Sequence, residues 1–290
     1  MRIVPVAFDS FSVRSMATFV VTGDASIFID PGIAIGPRRY GLPPSEVELS
    51  LLHEQRREII SYLENTDIVT ISHYHFDHHP HYDDSEFCIA AYKNKIIYAK
   101  SPEKINLSQK KRNYVFERIA KPLATELIYA DGESYGILSF SEAVYHGGEK
   151  TRLGYVIMCC VEEKDKRFMH CSDIQGPVCE KTADIIIQKD PDIAIIGGPP
   201  TYFLGWRFSQ KDLRRARGNI LRIGECSRIK KLILDHHLLR DISYRENFYS
   251  ELKSALSDIG VELMTAAEFA GKDITIPEAR RKEIYMASEK

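Results

Sequence analysis

Apolar positions recur along this chain in two rhythms, alternating and helical, and polar residues of one kind collect where the alternating runs stop. ATFVVTGDASIFID, residues 17–30, holds two β-rich runs around Gly23-Asp24, a hairpin signal, and the second run ends at Asp30-Pro31-Gly32. Ser45 and Glu48 have capping-box spacing, and Val47, Leu51, Leu52, Ile59, Ile60 and Leu63 follow at helical intervals. TDIVTIS restores strand character and stops at His73, while YGILSFSEAVYHGGE reads as strand up to His146. RFMHCSD runs out at Asp173 before a helix near 178–189, and PDIAIIGGPP is an apolar strand broken by Gly-Gly-Pro-Pro. A helix over 209–229 then leads to KKLILDHH, tipped by His236 and His237. Hairpins early and strand-helix-strand units late predict a layered α/β architecture.

Asp30, His73, His146, Asp173 and His236 or His237 thus each sit where an apolar run terminates. Strands that share one edge would bring them to a single point. The segment ISHYHFDHHPHYDD, residues 71–84, adds density, with five histidines and three aspartates. In an extended segment His73 and His75 project to the same side and can grip one ion. Asp77 and His78 follow Phe76, where the chain must turn, and can face a second. A carboxylate from elsewhere, Asp173, can bridge two cations, and His146 and His236 can complete their separate shells. Imidazole with carboxylate oxygen suits zinc, with iron or manganese as alternatives. Two ions about 3.5–4 Å apart polarise a substrate oxygen and depress the pKa of a trapped water toward about 7, which is hydrolytic chemistry. A single strand-end histidine is more often a hydrogen-bonded core or surface residue, and it is the repetition that favours metal. His79, His81, His170, Asp83 and Asp84 fall outside the spacing and read as solvated or supporting groups.

Composition bounds the setting. A chain of 290 residues, 44% hydrophobic, can bury one large core, and the absence of repeats or low-complexity stretches favours a single domain over 1–290, ending in a charged helical tail over 265–290. Lys and Arg total 39 against 41 Asp and Glu, so no global basic field recruits nucleic acid or an anionic membrane. The N-terminus lacks the pattern of a signal peptide and no run approaches ~18 apolar residues, which makes the expected compartment the cytoplasm and excludes a membrane partner. Six cysteines without a CxxC pair read as free thiols. Tyr202, Phe203, Trp206 and Arg207 form a loop that walls a pocket or simply closes the core. A basic stretch over 209–231 offers Lys211, Arg214, Arg215, Arg217, Arg222, Arg228, Lys230 and Lys231 to a phosphate backbone. Asp212 and Glu225 interrupt it, and a solvated helix face is the simpler reading. QKKR at 109–112 is treated alike.

His73-x-His75-x-Asp77-His78, preceded by IFIDPG and followed by YHGGE, HCSDIQG and LILDHH, resembles the metallo-β-lactamase superfamily of binuclear metal hydrolases, with five motifs in order over residues 17 to about 240. The resemblance implies a four-layer αββα sandwich with two divalent metal ions at one edge between its sheets. It implies that His73, His75 and His146 bind the first ion, that Asp77, His78 and His236 bind the second, and that Asp173 bridges both. Asp30 would support the HxHxDH loop without touching metal. LILDHHLLR is similar to the last metal strand of the transfer-RNA-processing branch, with its ligand His followed four positions later by Arg240, which selects His236 over His237. Intact His75 and His78 separate the chain from the oxygen-reducing di-iron branch. As a whole it resembles an uncharacterised, largely archaeal branch.

The expectation is therefore a metal-dependent hydrolase in which hydroxide held by two ions attacks an ester-like bond, with Asp77 or Asp173 able to orient it and relay its proton. A phosphoester or phosphodiester is the leading substrate, and a lactone or thioester is the alternative on the same site. A non-catalytic, metal-stabilised nucleic-acid-binding or scaffold protein is the alternative of another class. Nothing in the chain speaks to its oligomeric state.

Overall fold

In the computed structural model, which describes residues 1–149 and 151–288, the apolar runs pair into two main sheets. The first lies in chain order: β1 (Arg2–Phe8), β2 (Met16–Val21), β3 (Ser26–Ile29), β4 (Ile68–Ile71), β5 (Ile96–Ala99) and β6 (Glu126–Tyr129). Its first three strands are antiparallel, β3 to β6 parallel. The second is built from β7 (Ser134–Tyr135), β8 (Leu138–Phe140), β11 (Cys159–Glu163), β12 (Lys166–His170), β13 (Ile193–Gly197), β14 (Lys231–Asp235) and β15 (Glu262–Met264), β12 to β15 being parallel. Between β8 and β11 in sequence, β9 (Val144–Tyr145) and β10 (Tyr155–Val156) make a separate two-stranded ribbon. The run leading to His146 is thus broken after Phe140 rather than continuous, because its last two strand residues leave the sheet to pair with β10.

Period-2 alternation sorts these strands into layers. In β13, Ala194 and Ile196 join one buried cluster while Ile195 joins another. The cluster between the sheets gathers Phe8, Met16, Ile27, Ile29, Leu138, Phe140, Val161, Phe168, Ile195 and Ile233. Outside the first sheet, α1 (Glu46–Leu63), α2 (Ser85–Tyr92) and α3 (Leu107–Ala120) cover Phe19, Phe28, Val69 and Ile97 with Ile59, Leu63, Phe87, Tyr92 and Phe116. Outside the second, α4 (Glu180–Lys189), α5 (Gln210–Cys226) and α6 (Ser250–Asp258) cover Met169, Ala194, Leu232 and Leu234 with Ile186, Leu213, Ile220, Ile223, Leu252 and Leu256. Helix, sheet, sheet, helix is the αββα order. Each buried aliphatic side chain contributes about 1.5–3 kcal/mol, so these three clusters hold the frame to which the polar edge is attached.

The capping box forms as the spacing predicts: Glu48 N donates to Ser45 Oγ and Ser45 N donates to Glu48 Oε2 at 3.0 Å. Glu48 has a second task. Fully buried Arg281 donates to its Oε1 at 2.7 Å and its Oε2 at 2.8 Å, and to the carbonyl of Gly36. The C-terminal segment is helical over α7 (Ala266–Ala270) and α8 (Arg281–Ser288), not throughout, and this ion pair fastens it to the start of α1. Three of the basic residues of α5 face carboxylates: Arg217 pairs with Glu251, Arg222 with Glu180 and Asp184, and Arg215 lies near Asp212. The six cysteines are unbonded, and no helix among the described residues is long and apolar enough to cross a membrane.

Candidate metal centre

The carboxyl ends of the strands share one edge of the sandwich, the place where open α/β sheets hold ligands. Asp9 follows β1, Asp30 follows β3, His73 lies just beyond β4, Asp173 beyond β12, and His236 follows β14. Asp30 has φ +50° and His236 φ +61°, so both turn their side chains out of the strand path in the left-handed region. Gly32 lets the loop of 73–79 come down on them. A Cβ there would lie 2.2–2.4 Å from backbone atoms of His78 and His79.

Two groups of donors result. His73, His75, His146 and Asp173 offer atoms within 4.8 Å of one another, and so do Asp77, His78 and His236. His73 Nε2 and His75 Nδ1 are 3.0 Å apart. Asp173 sits at the junction: its Oδ2 is 3.2 Å from His146 Nε2, 3.3 Å from His78 Nε2 and 3.7 Å from His73 Nε2, and its Oδ1 is 3.1 Å from His236 Nε2. Asp77 Oδ2 lies 3.6 Å from His236 Nε2. His237 forms a group with Asp173 and His236 but not with Asp77 and His78, and its Nε2 is 3.9 Å from Asp173 Oδ2. Of the two neighbouring histidines, His236 is therefore the one that joins Asp77 and His78 while also meeting Asp173, and His237 flanks it.

These atoms fit divalent cations. His78 Nε2, both nitrogens of His146 and Asp173 Oδ1 are buried without a hydrogen-bond partner among the described residues, a costly arrangement unless something positive stands between them. Burial, and then the neighbouring imidazoles His78 and His75, hold His73 well below the ordinary histidine range, and burial with His146 holds His75 at about 3. Both are therefore neutral rings with lone pairs to give. At His236 burial lowers the pKa as well, but Asp173 and Asp9 outweigh it and raise the ring to about 9. The carboxylates at this junction strongly favour positive charge beside them.

Behind the donors stands a set of supports. Asp30 accepts from Ser72 N at 2.7 Å, Ser72 Oγ at 2.5 Å and His78 Nδ1 at 2.8 Å, so it touches the loop and leaves His78 Nε2 facing the centre. Asp9 does the same for His236, accepting from its Nδ1 at 2.7 Å, and takes a second bond from Arg240 Nε at 2.6 Å. Arg240 also reaches Asp77 Oδ2 at 3.4 Å. Asp235 accepts from the backbone of Ser10, His236 and Ala266, pinning the turn that carries His236. Sequence reasoning missed Asp9, although VPVAFDS carries the same signal as Asp30, an apolar run closed by aspartate.

The remaining candidates lie elsewhere. His79 packs on Tyr74, Phe76 and Phe116, His81 stacks on Phe76, and His170 Nε2 bonds to the Met16 carbonyl. Asp84 caps α2 and binds Arg56, while Asp83 is exposed. Arg112, from the QKKR run, stacks on Phe76 and donates to the Tyr74 carbonyl.

A four-layer αββα frame with clustered histidines and aspartates between its sheets is the metallo-β-lactamase fold, and solved structures of that class match this one. YhfI from Bacillus subtilis, a metallo-β-lactamase fold protein, superposes with a TM-score of 0.52 at 15% identity, covering 91% of this chain and 96% of that one. Tm1679, a metal-dependent hydrolase of the β-lactamase superfamily, gives 0.51 at 14% identity over 91% and 95%. A mutant of the CmlA β-hydroxylase gives 0.51 at 13% identity over 87% and 51%. No protein-family model matches the chain. It belongs to the UPF0282 family: it is 40% identical to the UPF0282 protein of Methanopyrus kandleri over 98% of this chain and 99% of that one, and 39% identical to that of Methanocaldococcus jannaschii over 100% and 98%.

Proposed function

We propose that this protein is a hydrolase that uses two divalent cations, zinc first, to cleave an ester-like bond in an anionic substrate, with phosphoesters and phosphodiesters as the leading class. The observation that carries the reading is Asp173, whose two oxygens face donors of both groups at 3.1–3.3 Å, as a carboxylate shared between two cations would. His73, His75 and His146 would hold one ion, Asp77, His78 and His236 the other. Bound there, such ions supply Lewis acidity toward a substrate oxygen and make water a nucleophile at neutral pH.

The chain's own groups provide the rest. Asp77 keeps 14% of its side chain exposed, more than Asp173, which supports it as the carboxylate a substrate meets; its Oδ2 would take a proton from the attacking water and hand it on. Arg240 holds that oxygen in position. Asp9 and Asp30 fix the rings of His236 and His78. His237, 11% exposed in its side chain, lies beside Asp173 at the partly exposed side of the centre. The CmlA neighbour is a hydroxylase, so the fold alone does not select hydrolysis. The imidazole-rich donor set, with His75 and His78 in place, supports it. A lactone or thioester would use the same groups. Carboxylates pair with Arg217 and Arg222 on α5, which counts against that helix as a nucleic-acid surface and so against a scaffold role.

The test is metal content per chain by elemental analysis, run beside hydrolysis of bis(p-nitrophenyl) phosphate before and after chelation. Two metals with chelator-sensitive cleavage support the reading. Two metals without it shift the search to lactones and thioesters, and no metal under several loading conditions refutes the proposal.

A further inference from the structure

Beside the centre, three arginines converge, and they are not equivalent. Arg14 donates to both oxygens of Glu278 at 2.6 Å. Arg240 is neutralised by Asp9 and Asp77. Arg39 has no carboxylate partner among the described residues. Its guanidinium carbon lies 4.7 Å from the ring centroid of Tyr40 and 4.6 Å from that of Tyr202, and its Nη2 donates to the Arg240 carbonyl at 2.7 Å. Its Nε is buried with no acceptor.

The surrounding backbone holds it there. Arg39 and Leu42 exchange backbone hydrogen bonds at 3.0 and 2.9 Å across a tight turn in which Tyr40 and Gly41 both have positive φ. Tyr202 belongs to the turn Thr201–Phe203, which packs on the turn His236–Arg240. From Arg39 the path to the metal donors is short: the Arg240 carbonyl, the Arg240 side chain, then Asp77. A guanidinium stacked on aromatic rings has already lost most of the freedom that anion binding would remove, and its free N–H groups match a planar or tetrahedral oxyanion.

We propose that Arg39, stacked on Tyr202, anchors an anionic group of the substrate, a phosphate or carboxylate carried beyond the bond that is cut. This rests on the hydrolase reading above and names how that site would select its substrates. It also explains why a partly exposed arginine beside an acidic centre is not given a carboxylate of its own: an internal partner would compete with the ligand.

Labelling and calorimetry on the zinc-loaded full chain test it without needing turnover. Phenylglyoxal modification, read by mass spectrometry at Arg39 with exposed Arg38 as internal control, should slow at Arg39 alone when inorganic phosphate is added; a parallel arm with acetate tells whether carboxylate serves as well. Calorimetric phosphate affinity should fall about 10–100-fold in Arg39→Met with zinc content and Tm unchanged, as expected for loss of a charge-assisted contact. Arg39→Lys should recover only part of it, because the planar stacked face is gone. Unchanged labelling by both anions, or equal phosphate affinity in wild type and Arg39→Met, would overturn the proposal. Phosphate binding that depends on Arg39 in a protein that cleaves no ester would leave this subsite standing and remove the hydrolase reading instead.

Discussion

Around His78 and His236 each Nδ1 proton is received by a buried carboxylate, Asp30 or Asp9, whereas among the described residues neither nitrogen of His146 has a hydrogen-bond partner and His75 leans on the neighbouring rings of His73 and His146. The two halves of the centre therefore differ in what holds them. In the second, the supporting carboxylates lie on the same sheet edge as the ligands and keep the rings aimed with or without a cation. In the first, the imidazoles sit on the loop after β4 and on the small β9–β10 ribbon, and under the proposed function a cation would be the partner that orders them. One half is preorganised by the fold, and the other would be ordered by what it binds.

Substitutions should separate the halves. Asp173→Ala removes the group they share and should have the largest effect, with metal content falling below two per chain and hydrolysis dropping to background; two retained metals and full turnover would show that the shared carboxylate is misassigned. Asp9→Ala leaves Arg240 and His236 buried without their partner, which should cost about 3–5 kcal/mol in denaturant unfolding and weaken the second ion preferentially. Asp30→Asn should lower metal affinity about 10–100-fold, measured by competition with a chromophoric chelator, since a supporting carboxylate aims its histidine. Metal removal should raise hydrogen exchange over residues 144–156 far more than over 231–236; equal changes in both would end the distinction between the halves. Smallest of all, His81→Ala should keep both metals and stay within about 0.5 kcal/mol of the parent, as for a surface position.

Much of this was legible in the chain because strand ends announce themselves. IFID, TIS and LILD are apolar runs closed by a polar residue, and β3, β4 and β14 end where those runs do. The capping box at Ser45 and the hairpin at Gly23-Asp24 are likewise local features, written in neighbouring residues. The break after Phe140 was not legible, since YGILSFSEAVY alternates well enough to read as one strand, and only its partner strands decide where it divides. The charge of the C-terminal segment suggested a docking or an exposed tail, without choosing between them. Arg281 instead lies wholly buried against Glu48, a partner 233 positions away.

Alone, the sequence determined the element types, the series of ligand-type residues at strand ends and the spacing of His73, His75, Asp77 and His78, because each depends on neighbours along the chain and on backbone periodicity. Tertiary structure decided which of them meet. It placed Asp9, 227 residues from His236, behind that ring, turned His236 rather than His237 toward Asp77 and His78, and stacked Arg39 on Tyr202. Those choices follow from strand pairing, from left-handed backbone at Asp30 and His236, and from the cost of burying a charge without a partner, none of which is a property of any short stretch of sequence.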